Sequence, residues 1–130
     1  MSFPPPSSDK QTLEEGAVFT PKFDANGLIV CVTQEAATGE ILMLAYMNEL
    51  ALEKTLETGV VHYWSRSRNA LWRKGDTSGQ VQKLVDMRVD CDQDAVLVRV
   101  NAGGDGKACH TGRKSCFYRA VSPEGRLSEV

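Results

Sequence analysis

Six short runs of apolar residues, rich in β-branched and aromatic side chains, set the strongest limit on what this chain can fold into. Only one segment has the features of a helix: Asn48 is placed to cap it, Leu52 and Leu56 lie one turn apart, and Gly59 is placed to end it. The pattern favours a β-rich domain with a helix at residues 49–58 over a helical bundle. The runs are 28–33, 41–46, 60–64, 81–89, 95–100 and 116–121, and the first two are predicted to form a hairpin.

The length of 130 residues is within the usual size of a single domain. We expect a flexible arm at residues 1–15, which are rich in proline and serine at their start, and one folded domain at residues 16–130. A formal charge of −2 argues against a general affinity for nucleic acid, so a small molecule is the expected partner.

The hydropathy pattern excludes a membrane protein of the helical class. No stretch approaches the roughly 18 consecutive apolar residues of a membrane helix, and the N-terminus lacks the basic-then-apolar order of a secretory signal. We therefore expect a cytoplasmic location.

Four cysteines in a reducing compartment are better explained as ligands, catalytic groups or buried residues than as disulfides, and Cys31, inside an apolar run, is predicted to be a core residue.

An acidic stretch at residues 90–94 carries three carboxylates and a thiol in five positions. Asp90, Asp92 and Asp94 alternate, so on an extended chain they share one face while Cys91 points to the other. Carboxylates suit a hard cation such as magnesium, and a thiolate suits zinc. The stretch can therefore serve two different metals, although acidic residues that coat a solvated turn remain the alternative.

The same stretch cannot bind a single cation as a regular strand. Asp90 and Asp94 would then be about 13 Å apart, at a rise of roughly 3.3 Å per residue, so a bend or bulge is required. An EF-hand calcium loop is excluded, because its sixth and twelfth positions should be Gly and Glu and are here Ala95 and Asn101.

Three cysteines stand among polar residues and glycines: Cys91, Cys109 and Cys116. Their spacing does not match the short Cys-x-x-Cys arrangement of structural zinc sites. Three protein ligands leave a fourth position for water, and a zinc-bound water can ionise near neutral pH, which suits hydrolysis. The alternative is a closed structural site completed by Cys31 or a histidine.

Two histidines are candidates for proton transfer. His62 lies in an apolar run and is as readily a hydrogen-bonded core residue as a catalyst. His110 neighbours a proposed ligand and has an unperturbed pKa near 6.5, which makes it the better candidate for catalysis or for a fourth zinc ligand.

A basic and aromatic stretch at residues 64–80 combines cations, hydroxyls, glycines and both tryptophans. Guanidinium groups bind phosphate oxygens in pairs, hydroxyl and glycine N–H groups add donors, and an indole can stack on a purine. A nucleotide pocket and a solvated basic hairpin both fit this composition. The candidate substrate-binding residues are Trp64, Ser65, Arg66, Arg68, Trp72, Lys74, Gly75, Thr77 and Ser78.

Taken in chain order, these motifs closely resemble the phosphoribosyl-AMP cyclohydrolase family. The resemblance runs from about residue 28 to residue 121. Its blocks are residues 64–68, 71–72, 74–75, 77–79, 90–95, 108–112 and 115–117.

The resemblance implies an enzyme of L-histidine biosynthesis that opens the adenine ring of 1-(5-phosphoribosyl)-AMP by hydrolysis, giving the formimino carboxamide ribonucleotide. It implies one zinc ion per subunit, held by Cys91 of one subunit and by Cys109 and Cys116 of the other, and magnesium held by Asp90, Asp92 and Asp94. The expected fold is a β-rich α+β domain of six or seven strands in a barrel-like sheet, with one or two short helices, in an intertwined homodimer.

Further roles follow as hypotheses from the chemistry of this reaction. Zinc-activated water would add to the six-position carbon, His110 would shuttle protons, and magnesium would orient a phosphate or the ribose. Arg66, Arg68 and Lys74 would bind the two terminal phosphates.

Two other classes compete with this reading. A zinc-dependent nucleobase deaminase also attacks a purine carbon with activated water, but its His-x-Glu and Pro-Cys-x-x-Cys signature is absent from the chain. A non-catalytic module would use closed zinc coordination and a basic surface for an anionic partner.

Overall fold

The structure is a computed structural model that describes residues 3–75, 79, 81–104 and 106–130. Its described part contains two helices and eight strands. In chain order they are α1 (Lys10–Glu15), β1 (Ile29–Glu35), β2 (Ile41–Met47), α2 (Glu49–Thr58), β3 (His62–Ser65), β4 (Ala70–Arg73), β5 (Gln82–Val89), β6 (Ala95–Ala102), β7 (Arg119–Val121) and β8 (Leu127–Glu129).

The main sheet has four strands in the order β2-β1-β6-β5. β1 pairs with β2 in antiparallel fashion and with β6 in parallel, while β5 and β6 form an antiparallel pair. The parallel pair requires a long crossover, and the chain between β1 and β6 contains α2 and the separate β3–β4 hairpin.

Alternation along the two central strands sets the core. On β1, Ile29, Cys31 and Thr33 are buried, and the intervening residues are only partly buried. β6 repeats the pattern, and the apolar face of α2 covers the same side of the sheet. The buried apolar residues of β6 and α2 are Val96, Val98, Val100, Ala51 and Leu52.

The local predictions are confirmed. The helix at residues 49–58 has the predicted bounds, the Asn48 side chain accepts a hydrogen bond from the Ala51 N–H at 2.9 Å, and Gly59 ends the helix at φ 73°. The β1–β2 hairpin forms, and Cys31 is a fully buried core residue whose pKa rises to about 12 because burial disfavours the thiolate.

The expectation of six or seven strands in a barrel-like sheet is wrong: the domain is small and β-rich, but the described residues form eight strands, in sheets that do not close into a barrel. After a single bridge between Val60 and Lys83, the chain turns away, and β3 takes β4 as its partner instead of β5. The strand predicted at 116–121 is also too long, since only Arg119–Val121 is extended and pairs with β8.

The first fifteen residues include α1, which Asp9 caps and none of whose residues is buried. The mobility of this arm stays a prediction. Over the described ranges, neither helix has the length and apolar character needed to cross a bilayer.

Candidate functional site

The acidic stretch folds into a tight turn between β5 and β6. One carboxylate oxygen from each of Asp90, Asp92 and Asp94 lies within 4.8 Å of the others, which confirms the predicted bend. Gln93 makes it, because its backbone is left-handed (φ 62°) and its N–H donates to the Asp90 carbonyl oxygen at 3.1 Å. Among the described residues, this acidic triad is the only group of three or more potential ligands so close together.

The carboxylates of the triad interact strongly. Asp90 Oδ1 accepts hydrogen bonds from the Asp94 and Ala95 N–H groups at 3.0 and 3.1 Å, which fixes its orientation. Contact with Asp90, and to a lesser extent with Asp92, raises the pKa of Asp94 to about 6. The hydrogen bond between Asp92 and Asp94 lowers the pKa of Asp92. Three carboxylates whose oxygens lie within 4.8 Å of one another repel each other when charged. A divalent cation bound between them would relieve this repulsion, so the triad is suited to bind one.

The loop after β6 brings two cysteines together. The loop closes through hydrogen bonds from the Ala108 N–H to the Lys114 carbonyl at 2.9 Å and from the Cys109 N–H to the Arg113 carbonyl at 3.1 Å. The Cys116 N–H then donates to the Leu42 carbonyl at 2.7 Å, which ties the loop to β2. The Cys109 and Cys116 side chains lie close enough for each to shift the pKa of the other, so the sequence-predicted ligands at these positions are neighbours.

The two thiols have different environments. Burial raises the pKa of Cys116 to about 11. Burial also opposes ionisation of Cys109, but hydrogen bonds from Thr111, whose Oγ1 lies 3.0 Å from the sulfur, act together with Cys116 and the charge of Lys74 to lower the pKa of Cys109. The pair thus offers one thiolate readily and a second that a metal ion would have to deprotonate, which suits a soft or borderline cation.

Lys74 lies beside this thiol pair. Its Nζ donates to the Ala108 carbonyl oxygen at 2.6 Å, and burial lowers its pKa although the nearby Cys116 and Cys109 act in the opposite direction. The sequence grouped Lys74 with the phosphate-binding candidates, whereas the structure brings its ammonium group to the proposed zinc ligands.

Cys91 is not part of the thiol pair within one chain. It is exposed at the acidic turn, and the sulfurs of Cys91, Cys109 and Cys116, all described, do not lie within 4.8 Å of one another. Cys91 and Asp90 line a cleft of about 410 Å³ between β5 and the segment that follows α1.

The basic and aromatic candidates line a second cleft of about 410 Å³, formed by the β3–β4 turn and the end of β2. The Arg66 guanidinium lies 4.0 Å from the centroid of the Tyr46 ring, a contact that fixes the arginine at the cleft wall. Gly75 follows Lys74 at φ 93°, and Thr77 and Ser78 lie outside the described residues. The other lining candidates are Trp64, Ser65, Arg68 and Trp72.

The histidines differ in exposure. His62 is buried, with Nδ1 at 2.8 Å from the Val60 carbonyl oxygen; since a carbonyl only accepts, Nδ1 carries a proton. His110 is exposed and directly follows Cys109 in the loop.

Sequence reasoning missed Tyr46, Gln93 and Thr111. Thr111 could have been found by its position two residues after a proposed ligand, which is the usual reach of a hydroxyl hydrogen bond to a neighbour. Gln93 could have been suspected because a bend was required between Asp92 and Asp94. Nothing in the sequence points to Tyr46, whose contact with Arg66 joins β2 to the β3–β4 turn.

Comparison with known proteins gives consistent matches over nearly the whole chain. The family model described as phosphoribosyl-AMP cyclohydrolase matches residues 43–118. A phosphoribosyl-AMP cyclohydrolase of Chelativorans sp. (strain BNC1) is 60% identical over 124 residues, which are 95% of this chain and 89% of the relative. A protein of the same name from Brucella canis is 58% identical over 95% of this chain and 88% of its own length. One from Brucella anthropi is 60% identical over 94% of this chain and 86% of its own length.

Proposed function

The chain belongs to the phosphoribosyl-AMP cyclohydrolase family and is a hydrolase, and from this we propose that it opens the adenine ring of 1-(5-phosphoribosyl)-AMP with zinc-activated water, in L-histidine biosynthesis. The product is the formimino carboxamide ribonucleotide. The observation that carries the proposal is the neighbouring pair of thiols, Cys109 and Cys116, with the exposed His110 next to Cys109 in the chain. The four cysteines are free, which fits the reducing cytoplasm as its location.

The thiol pair supplies two zinc ligands, and Cys91 supplies the third. When bound, zinc lowers the pKa of a coordinated water to near neutrality, and this provides the nucleophile. His110 accepts and returns protons as the ring carbon is attacked and its bond to nitrogen is cleaved. Two neighbouring thiols, of which Cys109 has a lowered pKa, with His110 next to Cys109 in the chain, support this division of roles.

The third ligand requires a second subunit. Since Cys91 is not close to the pair in one chain but is exposed at an open cleft, a homodimer would deliver it to the pair of the partner. The outer face of the main sheet supports an interface. Val32 pairs with Leu44 on one side and Leu97 on the other, Leu44 is 47% exposed, and Val32 and Leu97 line a groove of about 370 Å³.

The acidic triad holds magnesium, and the second cleft binds the substrate. Arg66 and Arg68 provide guanidinium groups for phosphate, and Trp64 and Trp72 offer aromatic surface for the base. The hydroxyls of Ser65, Thr77 and Ser78, the ammonium of Lys74 and the backbone of Gly75 complete the proposed set.

A turnover assay on phosphoribosyl-AMP tests the central claim. The purified protein should open the ring, lose activity when zinc is removed by a chelator, and recover it when zinc is restored. Full turnover by protein that is shown by elemental analysis to contain no zinc would contradict the proposal.

Subunit exchange tests the shared site. Cys91→Ser and Cys109→Ser should each be inactive alone, and a mixture that has exchanged subunits should regain activity, because a mixed dimer contains one intact site. Mixing Cys109→Ser with Cys116→Ser is the matched control and should restore nothing, since both changes affect the same half of the site. If the first mixture stays inactive although mass spectrometry verifies exchange, each subunit holds its own zinc.

A further inference from the structure

Gln93 occupies an unusual position at the centre of the acidic triad. It lies between Asp92 and Asp94 with a left-handed backbone (φ 62°), which residues with a Cβ rarely adopt. Unlike the aspartates around it, its side chain is buried, with 5% exposed. The surroundings must therefore supply interactions that hold this residue in place.

The Gln93 N–H donates to the Asp90 carbonyl within the turn, and the Gln93 side chain is hydrogen-bonded to one distant segment, residues 13–22, here called the N-terminal segment. Gln93 Oε1 accepts a hydrogen bond from the Thr20 N–H at 2.8 Å, and Nε2 donates to the Leu13 carbonyl at 2.9 Å and to the Val18 carbonyl at 3.4 Å. The backbone takes part as well, since the Gln93 carbonyl accepts from the Lys22 N–H at 2.7 Å.

The turn that Gln93 makes is the reason that the triad exists. On a straight strand the outer carboxylates would be too far apart to share an ion, whereas here an oxygen of each lies within 4.8 Å of the others. Without a cation, like charges at this distance repel one another and favour opening of the turn. Docking of the N-terminal segment on Gln93 opposes that opening.

We propose that Gln93 is a positioning residue that couples docking of the N-terminal segment to divalent-cation binding at Asp90, Asp92 and Asp94. The inference rests on the proposed magnesium site and deepens it. Because coupling between two binding events is reciprocal, the docked segment raises cation affinity, and the cation stabilises the docked segment by the same factor.

One contact acts in the other direction. Lys22, in the N-terminal segment, is close enough to Asp92 to lower the pKa of that carboxyl, so its charge also opposes a second cation there. The side chain is exposed, however, and water and salt screen its charge. Collapse of the turn would separate the ligands themselves, which costs a cation far more than one screened charge, so we expect the net coupling to be positive.

Hydrogen exchange measured by mass spectrometry on the full chain, together with calorimetric titration of Mg²⁺, tests the coupling. Saturating Mg²⁺ should slow exchange of the Thr20 and Lys22 amides, which donate to Gln93, by about tenfold. Gln93→Ala should speed their exchange and weaken Mg²⁺ binding by a similar factor.

Two further variants separate the side chain from the backbone. Gln93→Gly adopts the left-handed turn without strain but lacks the side chain, and it should lose Mg²⁺ affinity as Gln93→Ala does. The matched control is Gln34→Ala, which removes a glutamine that donates to the Gly39 carbonyl at 3.0 Å in the β1–β2 turn, and it should leave the affinity unchanged.

The outcomes distinguish this inference from the function on which it rests. Mg²⁺ binding without any change in exchange of the N-terminal segment overturns the coupling and leaves the magnesium site standing. Normal Mg²⁺ affinity in both Gln93→Ala and Gln93→Gly would likewise overturn the coupling and leave the magnesium site standing. Failure of the wild-type chain to bind Mg²⁺ at all in the calorimeter overturns the site and the coupling together, and the wild-type measurements need no variant to fold.

Discussion

Asp90→Asn is the sharpest probe of the acidic triad. The amide oxygen of Asn can still accept the hydrogen bonds that Asp90 Oδ1 takes from the Asp94 and Ala95 N–H groups, so the turn should keep its shape. The negative charge is lost, and so is the largest cause of the raised pKa of Asp94. The substitution therefore changes electrostatics with little change in geometry.

The expected magnitude follows from that shift. Contact with Asp90, followed by contact with Asp92, raises the pKa of Asp94 from its usual 3.8 to about 6. In metal-free Asp90→Asn, the pKa of Asp94 should fall by at least about one unit, because the largest of the causes that raise it is removed. Mg²⁺ affinity should fall by at least about tenfold, the smallest loss usual for groups that support a metal site.

Carbon-detected NMR of the carboxyl groups, followed from about pH 3 to pH 8, measures the first effect and calorimetry measures the second. Asp24→Asn is the matched control, because Asp24 Oδ1 also accepts two backbone N–H groups, those of Asn26 and Leu28 at 2.8 and 2.9 Å, but lies outside the triad. It should change neither quantity. If Asp94 still titrates near 6 in Asp90→Asn, the proximity of the two carboxylates does not set its pKa and the reasoning fails.

Four other changes test the remaining parts of the site and the fold. Below about pH 6, Mg²⁺ affinity in calorimetry should fall by up to about tenfold per pH unit, because the proton on Asp94 must leave when the cation binds; a flat profile from pH 5 to pH 7 would contradict this. Lys74→Met should raise the pKa values of both thiols and weaken zinc in a chelator competition, while Lys54→Met, an exposed control, should not. His110→Ala should lower kcat with zinc content unchanged, and near-normal turnover would remove the histidine from the mechanism. Tyr63→Phe removes hydrogen bonds to Thr33 and Gln82 at 2.6 and 2.7 Å in the core, so urea denaturation should show a loss of about 1–3 kcal/mol in the free energy of unfolding, and a loss below that range would show that the two partners find other hydrogen bonds.

Local signals in the sequence predicted local structure well. Asn48 and Gly59 set the ends of α2 because capping depends on residues within one turn, and the β1–β2 hairpin follows from a short turn between two apolar runs. Strand partners were less predictable. Parallel pairing of β1 with β6, and the choice of β4 over β5 by β3, depend on contacts between distant parts of the chain that no local pattern encodes.

The same limit applies to the site. The chemistry of Asp90, Asp92 and Asp94 and the need for a bend could be predicted, because ligand type and strand geometry are properties of the stretch itself. The residue contacts that produce the bend could not be predicted from the sequence. Gln93 makes the turn with bonds to residues that are more than seventy positions away, and these appear only when the chain has folded.

Lys74 illustrates how composition alone leaves a role open. Its place in a basic stretch suggests phosphate binding, and an ammonium group is equally suited to stabilising thiolates. In the folded chain its Nζ donates to the carbonyl of Ala108, directly before Cys109, and its charge favours ionisation of both thiols. Since the ammonium group of Lys74 lies beside the proposed zinc ligands, we propose that Arg66 and Arg68, whose forked donors suit phosphate better, carry most of the phosphate recognition. A loss of zinc affinity in Lys74→Met with an unchanged KM in zinc-saturated protein would separate these two roles, whereas a raised KM alone would return the lysine to the phosphates.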